Sequence, residues 1–392
     1  MDWDVIVIGA GPAGCFTAKS IALSGFKVLI LEEDQEIGFP VQCAGLISPR
    51  VIELAGVDNN TVLNKLKGIS VYSPQGAQFN VVGSKDLALA IDRAKFDQEL
   101  ATKAENGGAV LMKGVKVVGA TRIEGGFRLT VAEGSKTIST KLLIGADGAK
   151  SSVSKWLGLS RDNLKAVMHA VDVQLKCADT SSISIFMGQK LAPGWFGWMI
   201  PLDEKTCRVG TGYALVKPAY SPRRYFQDLV DQFPQIFKDM KVIGHTGGIV
   251  PLGKISRIYA ANAMLVGDAA CQTKPISGGG IYMGLIGAIL CSRTAVEALR
   301  EDNLTEAKLS SYQKYWEKEM EKERVSAMKL RKSYLSFSDE DIDLVIRFLN
   351  KPKYQKLILK YGDLDYPSYL GNKLLNLVLR KESLIKATIR IF

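Results

Sequence analysis

Residues 4–8 (DVIVI) form a short apolar run that gives way at once to a glycine cluster, then to apolar positions at helical spacing through Ile21 and Leu23. That order predicts strand, tight turn and helix, with a second strand over residues 27–31 (KVLIL). Two later apolar runs, 141–144 (KLLI) and 264–266 (MLV), predict strands leading into Gly145-Ala146-Asp147-Gly148 and Gly267-Asp268-Ala269-Ala270, and residues 281–290 predict an apolar helix. Between them the period changes. Residues 171–175 and 183–186 alternate apolar and polar side chains, as strands with one covered face do. The fold expected is α/β (α+β overall), in three parts: residues 1–70, 92–165 and 255–300 as one discontinuous domain, 71–91 and 166–254 as a β-rich domain, and 301–392 as a mainly helical, basic region.

The turn Gly9-Ala10-Gly11-Pro12-Ala13-Gly14 has the spacing that binds a pyrophosphate. The first glycine permits the turn, the second lets the phosphates approach the backbone, and the third lets the helix pack on the sheet. The helix N-terminus adds free N–H groups and positive dipole. Glu32 ends the second strand, where an acid accepts hydrogen bonds from the adenosine ribose. Glu33 is counted beside it as a cofactor contact, although with Asp34 it reads as a solvated acid. These residues define an ADP-binding half, common to NAD and FAD proteins. Asp147 and Asp268 each follow a predicted strand, at the carboxyl end where open α/β sheets bind ligands. Either one alone also reads as a loop residue or helix cap.

Composition narrows the picture. Hydrophobic residues make up 47% and charged residues 23%, ordinary globular usage, and the apolar runs fall short of the roughly 20 residues that span a bilayer. No basic segment with an apolar core precedes the first strand, so a cytoplasmic location is expected. The six cysteines are scattered without a CxxC pair or a nearby histidine, which argues against a metal site or a disulfide framework. His169 and His245 have no recognisable partner and read as structural. A formal charge of +11 calls for an anionic partner. Nucleic acid is disfavoured because no recognised module organises the charge. Much of the basic excess follows Lys351, and residues 368–392 mix basic residues with Leu370, Leu374, Leu377, Val378, Leu384, Ile385 and Ile391. This predicts a basic amphipathic helix that either makes peripheral contact with the inner face of a membrane or packs on its own protein.

The glycine turn, Asp147-Gly148 and Gly267-Asp268 together resemble the FAD-dependent oxidoreductases of the para-hydroxybenzoate hydroxylase fold. The resemblance implies a Rossmann-like FAD-binding domain, a discontinuous antiparallel-sheet substrate domain and a helical C-terminal region. It places Asp268 at the ribityl chain of FAD and Asp147-Gly148 near the pyrophosphate. Arg93, in residues 92–97 (DRAKFD), matches a DRxxFD pattern that begins a helix near the cofactor in that group; a surface charge at a helix start is the alternative. Residues 275–280 (PISGGG) precede the helix at Ile281, and the N–H groups of Gly279 and Gly280 are expected to face the isoalloxazine and stabilise its reduced, negatively charged form.

Residues 193–201 (PGWFGWMIP), followed by Gly210-Thr211-Gly212, resemble the Tyr-x-Trp-x-Phe-Pro and Gly-x-Gly motifs of the geranylgeranyl reductase family, with Phe196 in place of Tyr and Ile200 in place of Phe. The resemblance implies that Phe196 and Trp198 wall the substrate tail, with Pro201, Gly210 and Gly212 also at the substrate. Cys43, in residues 38–45 (GFPVQCAG), matches the family's cysteine segment, which places Cys43, Ala44 and Gly45 near the flavin and makes Cys43 a candidate catalytic residue; a buried thiol on a turn is the alternative. The activity implied is saturation of carbon-carbon double bonds in geranylgeranyl chains of archaeal-type ether lipids, by hydride from reduced flavin N5 and a proton of unassigned source. NAD(P)H or ferredoxin would supply the electrons. Two other readings stay open: a flavin-dependent halogenase or monooxygenase, since Trp198, Ile200 and Pro201 also fit Trp-x-Trp-x-Ile-Pro, and an electron-transfer flavoprotein without a small-molecule substrate.

Overall fold

The strand Trp3–Ile8 is a continuous apolar run because it lies inside a sheet covered on both faces: Val5, Ile6 and Val7 are fully buried. The computed structural model describes residues 1–132, 137–214 and 217–379. In it Trp3–Ile8 pairs in parallel with Val28–Leu31 on one side and Thr137–Gly145 on the other, and Thr137–Gly145 pairs in parallel with Ala263–Leu265. Parallel pairing brings the glycine turn, the Asp147 loop and the Asp268 turn to one edge of this sheet. Helix Pro12–Ala22 packs on helices Arg93–Asn106 and Ile281–Arg300. The last is long and apolar enough to cross a membrane, against the expectation from run lengths. Its Met283, Leu285, Ala288, Cys291, Ala295 and Ala298 are buried in the core beside the sheet, which accounts for the apolarity.

The second sheet has the strand order Lys241–Pro251, Lys165–Gln174, Thr206–Tyr213, Gly197–Pro201, Ser182–Phe186, Gly68–Tyr72, Gln78–Val82. It is antiparallel except where Ser182–Phe186 meets Gly68–Tyr72 in parallel. That pairing corrects the expected boundary after residue 70, since the whole strand Gly68–Tyr72 belongs to this sheet. Ala88–Ile91 belongs to neither large sheet and pairs instead with Leu46–Ile47 and Val62–Leu66.

The helical C-terminal region closes the second sheet rather than standing apart. Helix Asp339–Leu349, started by a capping box of Ser338 and Asp341, lays Ile342, Ile346 and Leu349 against Val71, Phe79 and Val81. Leu374 and Leu377, from helix Pro367–Leu379, pack on the same cluster, so this part of the expected basic helix turns toward its own protein. The remainder, residues 380–392, lies outside the described residues.

Candidate cofactor and substrate site

The three glycines of the turn do different physical work. Gly9 has φ +102°, and a Cβ there would lie 2.4 Å from the Ala146 carbonyl oxygen; one at Gly14 would lie 2.1 Å from the Gly9 carbonyl oxygen. Gly11 faces open space, with nothing within 4 Å of a Cβ position. The turn is therefore closed against its own fold at Gly9 and Gly14 and open at Gly11, where a pyrophosphate needs to approach. Helix Pro12–Ala22 starts with proline and has no side-chain cap, leaving its N-terminus available to an anion. Glu32 is held at the turn: its Oε2 accepts from the Ala10 N–H at 2.6 Å and its Oε1 from the Asp34 N–H at 3.0 Å. Glu33 is not there. Its carboxylate pairs with Lys116 at 2.8 Å in an exposed salt bridge, which corrects its inclusion among the cofactor contacts.

A cavity of about 160 Å³ opens beside this turn, lined by Ala10, Gly11, Glu32, Arg93, Asp97 and the loop through Gln42. Asp147 does not line this cavity; it meets the glycine turn at Gly9 through its backbone. The carboxylate accepts from the Ser151 hydroxyl at 2.7 Å and from the N–H groups of Ser152 and Val153 at 2.6 and 3.0 Å, capping helix Ser152–Trp156. What meets Gly9 is the main chain of Ala146 and Asp147, and Gly148, at φ +71°, lets that loop turn.

Asp268 behaves differently. Its turn is fixed by a buried relay in which the Gly267 N–H donates to Gln272 Oε1 at 2.7 Å, Gln272 Nε2 to the Tyr312 hydroxyl at 2.8 Å, and that hydroxyl to the Leu265 carbonyl at 2.9 Å. The carboxylate itself has no hydrogen-bond partner among the described residues. Burial pushes it up to about 6, against the opposing pull of Arg93 and Arg161. A Cβ on Gly280 would lie 2.9 Å from its Oδ1, and Gly280 begins helix Ile281–Arg300 without a side-chain cap. A Cβ on Gly267 would meet Ala13 at 3.0 Å, so Ala13, Gly267, Asp268 and Gly280 lie against one another. An unpartnered carboxylate between two uncapped helix starts suits a ligand that is anionic at one end and rich in hydroxyls in its middle.

Arg93 is no surface charge. Its guanidinium binds the Asp97 carboxylate one helical turn away, at 2.8–3.1 Å through Nε and Nη2. Burial works against its charge, yet Asp97 and the neighbouring Cys43 hold its pKa above the ordinary value. The Cys43 Sγ accepts from the Gly45 N–H at 3.3 Å. From the other side the second sheet grips the same loop: Thr246 donates to the Val41 carbonyl at 2.6 Å and Arg208 Nη1 to the Ala44 carbonyl at 3.1 Å. Gly45, at φ +65°, is required there because a Cβ would sit 2.7 Å from Arg208 Nη1. The loop is thus pinned between the two halves of the site. Nothing in the motif reading pointed to Arg208 or Asp172; the available signal was a charged residue in the middle of each apolar strand.

Three aromatic rings pack in series, Trp195 and Trp198 buried and Phe196 partly exposed between them. Trp195 and Phe196 stack at 5.0 Å and Phe196 meets Trp198 edge-on at 6.1 Å. Trp195, absent from the sequence-based candidates, is 1% exposed and abuts the glycine turn ahead of helix Ile281–Arg300: a Cβ on Gly278 would lie 3.0 Å from its Cη2. Gly210 and Gly212, expected at the substrate, serve packing. A Cβ on Gly210 would lie 2.3 Å from Trp198 Cζ2, and one on Gly212 would lie 2.2 Å from the Val167 carbonyl oxygen. Pro201 is also corrected. It lies at the other end of the strand, buried, with its carbonyl accepting from Asn64 Nδ2 at 3.0 Å.

The family described as FAD binding domain matches residues 2–315. An uncharacterized protein of Methanocaldococcus jannaschii is 30% identical over 380 residues, 95% of each chain. The digeranylgeranylglycerophospholipid reductase of Methanothrix thermoacetophila is 30% identical over 375 residues, 92% of this chain and 94% of its own. Among solved structures, a geranylgeranyl bacteriochlorophyll reductase-like protein of Thermoplasma acidophilum superposes with a TM-score of 0.85 at 23% identity, covering 100% of this chain and 99% of its own. A halogenase solved with FAD shares the fold less closely, with a TM-score of 0.72 at 16% identity over 97% of this chain and 87% of its own.

Proposed function

The chain belongs to the FAD-binding family of geranylgeranyl reductases, and from that premise we propose that it saturates the double bonds of geranylgeranyl chains on a glycerophospholipid of the archaeal ether type. FAD is the cofactor, and when bound and reduced it supplies the hydride. In this reading Gly11 and the start of helix Pro12–Ala22 receive the pyrophosphate, Glu32 the adenosine ribose, and Asp268 the ribityl hydroxyls, while the N–H groups of Gly279 and Gly280 meet the ring edge. The Arg93–Asp97 pair, with Arg208, holds the Cys43 loop at the reacting end. Trp195, Phe196 and Trp198 supply a dry apolar wall along which an isoprenoid chain lies, so that the chain's contribution is proximity and exclusion of water. Cys43 is the candidate proton donor.

The observation that carries this reading is the contact between Trp195 and the Gly278 turn, because it joins an apolar wall to the cofactor-facing helix start in one site. The relatives point to reduction, whereas the likeness to halogenases is of fold alone. No second glycine turn of the Gly9 to Gly14 spacing occurs in the sequence, which supports reduction by transiently bound NAD(P)H or by ferredoxin. The net charge of +11 supports contact with an anionic lipid surface, and in this reading that surface is the inner membrane face. Anaerobic incubation of the dithionite-reduced holoenzyme with a digeranylgeranylglycerophospholipid, followed by mass spectrometry of the lipid, tests the activity. A gain of two hydrogens per reduced bond supports it, and an unchanged lipid refutes it.

A further inference from the structure

Lys274 lies between Asp268 and the glycine turn and is bound to that turn through its backbone. Its N–H donates to the Gly279 carbonyl at 3.1 Å, and the Gly278 N–H donates to the Lys274 carbonyl at 2.8 Å. The side chain then runs beneath the turn: a Cβ on Gly279 would lie 2.5 Å from Lys274 Cε and 3.0 Å from Nζ. Glycine at that position lets an ammonium group pack directly against the main chain.

Lys274 is 5% exposed, and its ammonium donates to the Leu364 carbonyl at 2.7 Å and to Asp365 Oδ1 at 3.2 Å. Asp365, 1% exposed, also accepts from the Ser48 hydroxyl at 2.5 Å and from Arg50 at 3.4 Å, and Arg50 binds Asp363 at 2.8–2.9 Å. The Tyr366 hydroxyl lies 3.1 Å from that of Tyr282, in the first turn of helix Ile281–Arg300. The segment Asp363–Tyr366 therefore clasps the turn, the helix start and the chain just after the Cys43 loop.

The pair is oriented. Measured from the Gly279 Cβ position, Nζ is at 3.0 Å, and the third-nearest atom is Ser277 Oγ at 3.6 Å, so both Asp365 oxygens lie at least that far away. The positive end faces the turn. Burial lowers the pKa of Lys274, and the nearby carboxylates of Asp365, Asp363 and Glu323 oppose that shift. Apolar side chains hold a buried contact of this kind at lower desolvation cost than an ion pair. The charge is nonetheless buried and oriented toward the turn.

We infer that Lys274 is a positioning residue of the redox site, its ammonium a fixed positive charge beneath the Gly278–Gly280 turn that favours the negative charge acquired by bound FAD on two-electron reduction. The inference rests on the FAD reading of the site and adds a group that raises its potential.

The test is anaerobic spectroelectrochemical titration of the full-length FAD-loaded protein beside K274M and K274R. K274M is expected to shift the reduction equilibrium toward the oxidised form by about tenfold, a shift of about 30 mV to more negative potential for a two-electron couple. K274R should restore most of it. Because K274M strands the Asp365 carboxylate, the double variant K274M/D365N removes both charges and should shift the potential in the same direction. An unchanged potential in either flavin-loaded variant overturns the inference, and so does loss of FAD from both, which would assign the pair to cofactor retention. No lipid enters this assay, so its outcome is separate from that of the reductase reading. Failure of the unsubstituted protein to hold FAD would sink the FAD reading instead.

Discussion

Arg208 and Asp172 stand opposite each other in register on neighbouring strands, joined at 2.6 and 3.0 Å, and the free arm of the Arg208 guanidinium reaches across to the Ala44 carbonyl beside Cys43. One side chain thus fixes both a strand pair and the loop at the reacting end of the site. R208M keeps much of the aliphatic volume but leaves Asp172 and the Ala44 carbonyl without their donor. The expected loss is about 2–3 kcal/mol of stability, less than for a fully dry pair because Asp172 is partly exposed. Urea unfolding of the FAD-loaded protein measures it. Turnover should fall alongside, with FAD still bound.

The glycine turn separates ligand binding from folding. G11A adds a methyl group where the protein has open space, so stability should change by a few tenths of a kcal/mol while FAD affinity falls by about tenfold or more. G14A drives a methyl into the Gly9 carbonyl and should cost about 1–3 kcal/mol of stability even without cofactor. Thermal unfolding of the apoprotein and FAD titration of both variants distinguish the two effects. Equal behaviour of the pair would contradict the assignment of Gly11 to the pyrophosphate.

Asp268 carries a pH signature. Its carboxyl, raised by burial to about 6, favours the folded apoprotein when protonated. That stabilisation is fully present below the ordinary carboxyl pKa and is lost as pH rises through about 6. Ribityl hydroxyls donate to the ionised form, so FAD affinity should rise as pH increases through the same region. D268N should flatten that dependence and D268A should cost about 1.5–3 kcal/mol of binding. Flavin fluorescence quenching across a pH series reads both. A profile shared by D268N and the unsubstituted protein would remove Asp268 from the ribityl site.

Cys43 accepts from the Gly45 N–H and lies beside Arg93, which fixes its direction. C43S and C43A should retain FAD and slow turnover, with C43S the milder if a proton is passed from this position. Unchanged turnover and unchanged products in C43A would leave the thiol a packing residue.

What the sequence displayed and what it concealed follow from the range of the interactions. The glycine turn and Glu32 were legible because a turn geometry and an acid 22 residues downstream are properties of one local strand-turn-helix-strand unit. Asp147 and Asp268 carry the same signal in sequence, an Asp after a strand, yet one caps the helix that follows it and the other is left without a partner. Only the packing around each decides that. Arg208 and Asp172 lie 36 residues apart, and Lys274 and Asp365 lie 91 apart, so their pairing depends on strand order and on the return of the C-terminal segment, which no local pattern encodes. The Gly-x-Gly at Gly210 was visible, but its purpose, making room for the Trp198 indole on the next strand, required the register. The parallel pairing of Gly68–Tyr72 was hidden for a related reason, since alternation reports a covered face and not a neighbour.

The most direct measurement of the central claim is a single turnover followed in both reactants. Holoenzyme reduced with one equivalent of dithionite is mixed anaerobically with a digeranylgeranylglycerophospholipid, and flavin absorbance and lipid mass are recorded together. The predicted result is that the oxidised flavin spectrum returns in step with the gain of two hydrogens on the lipid, one reduced bond per flavin. A flavin that stays reduced in the presence of the lipid and reoxidises only when oxygen is admitted, with the lipid unchanged, would contradict it.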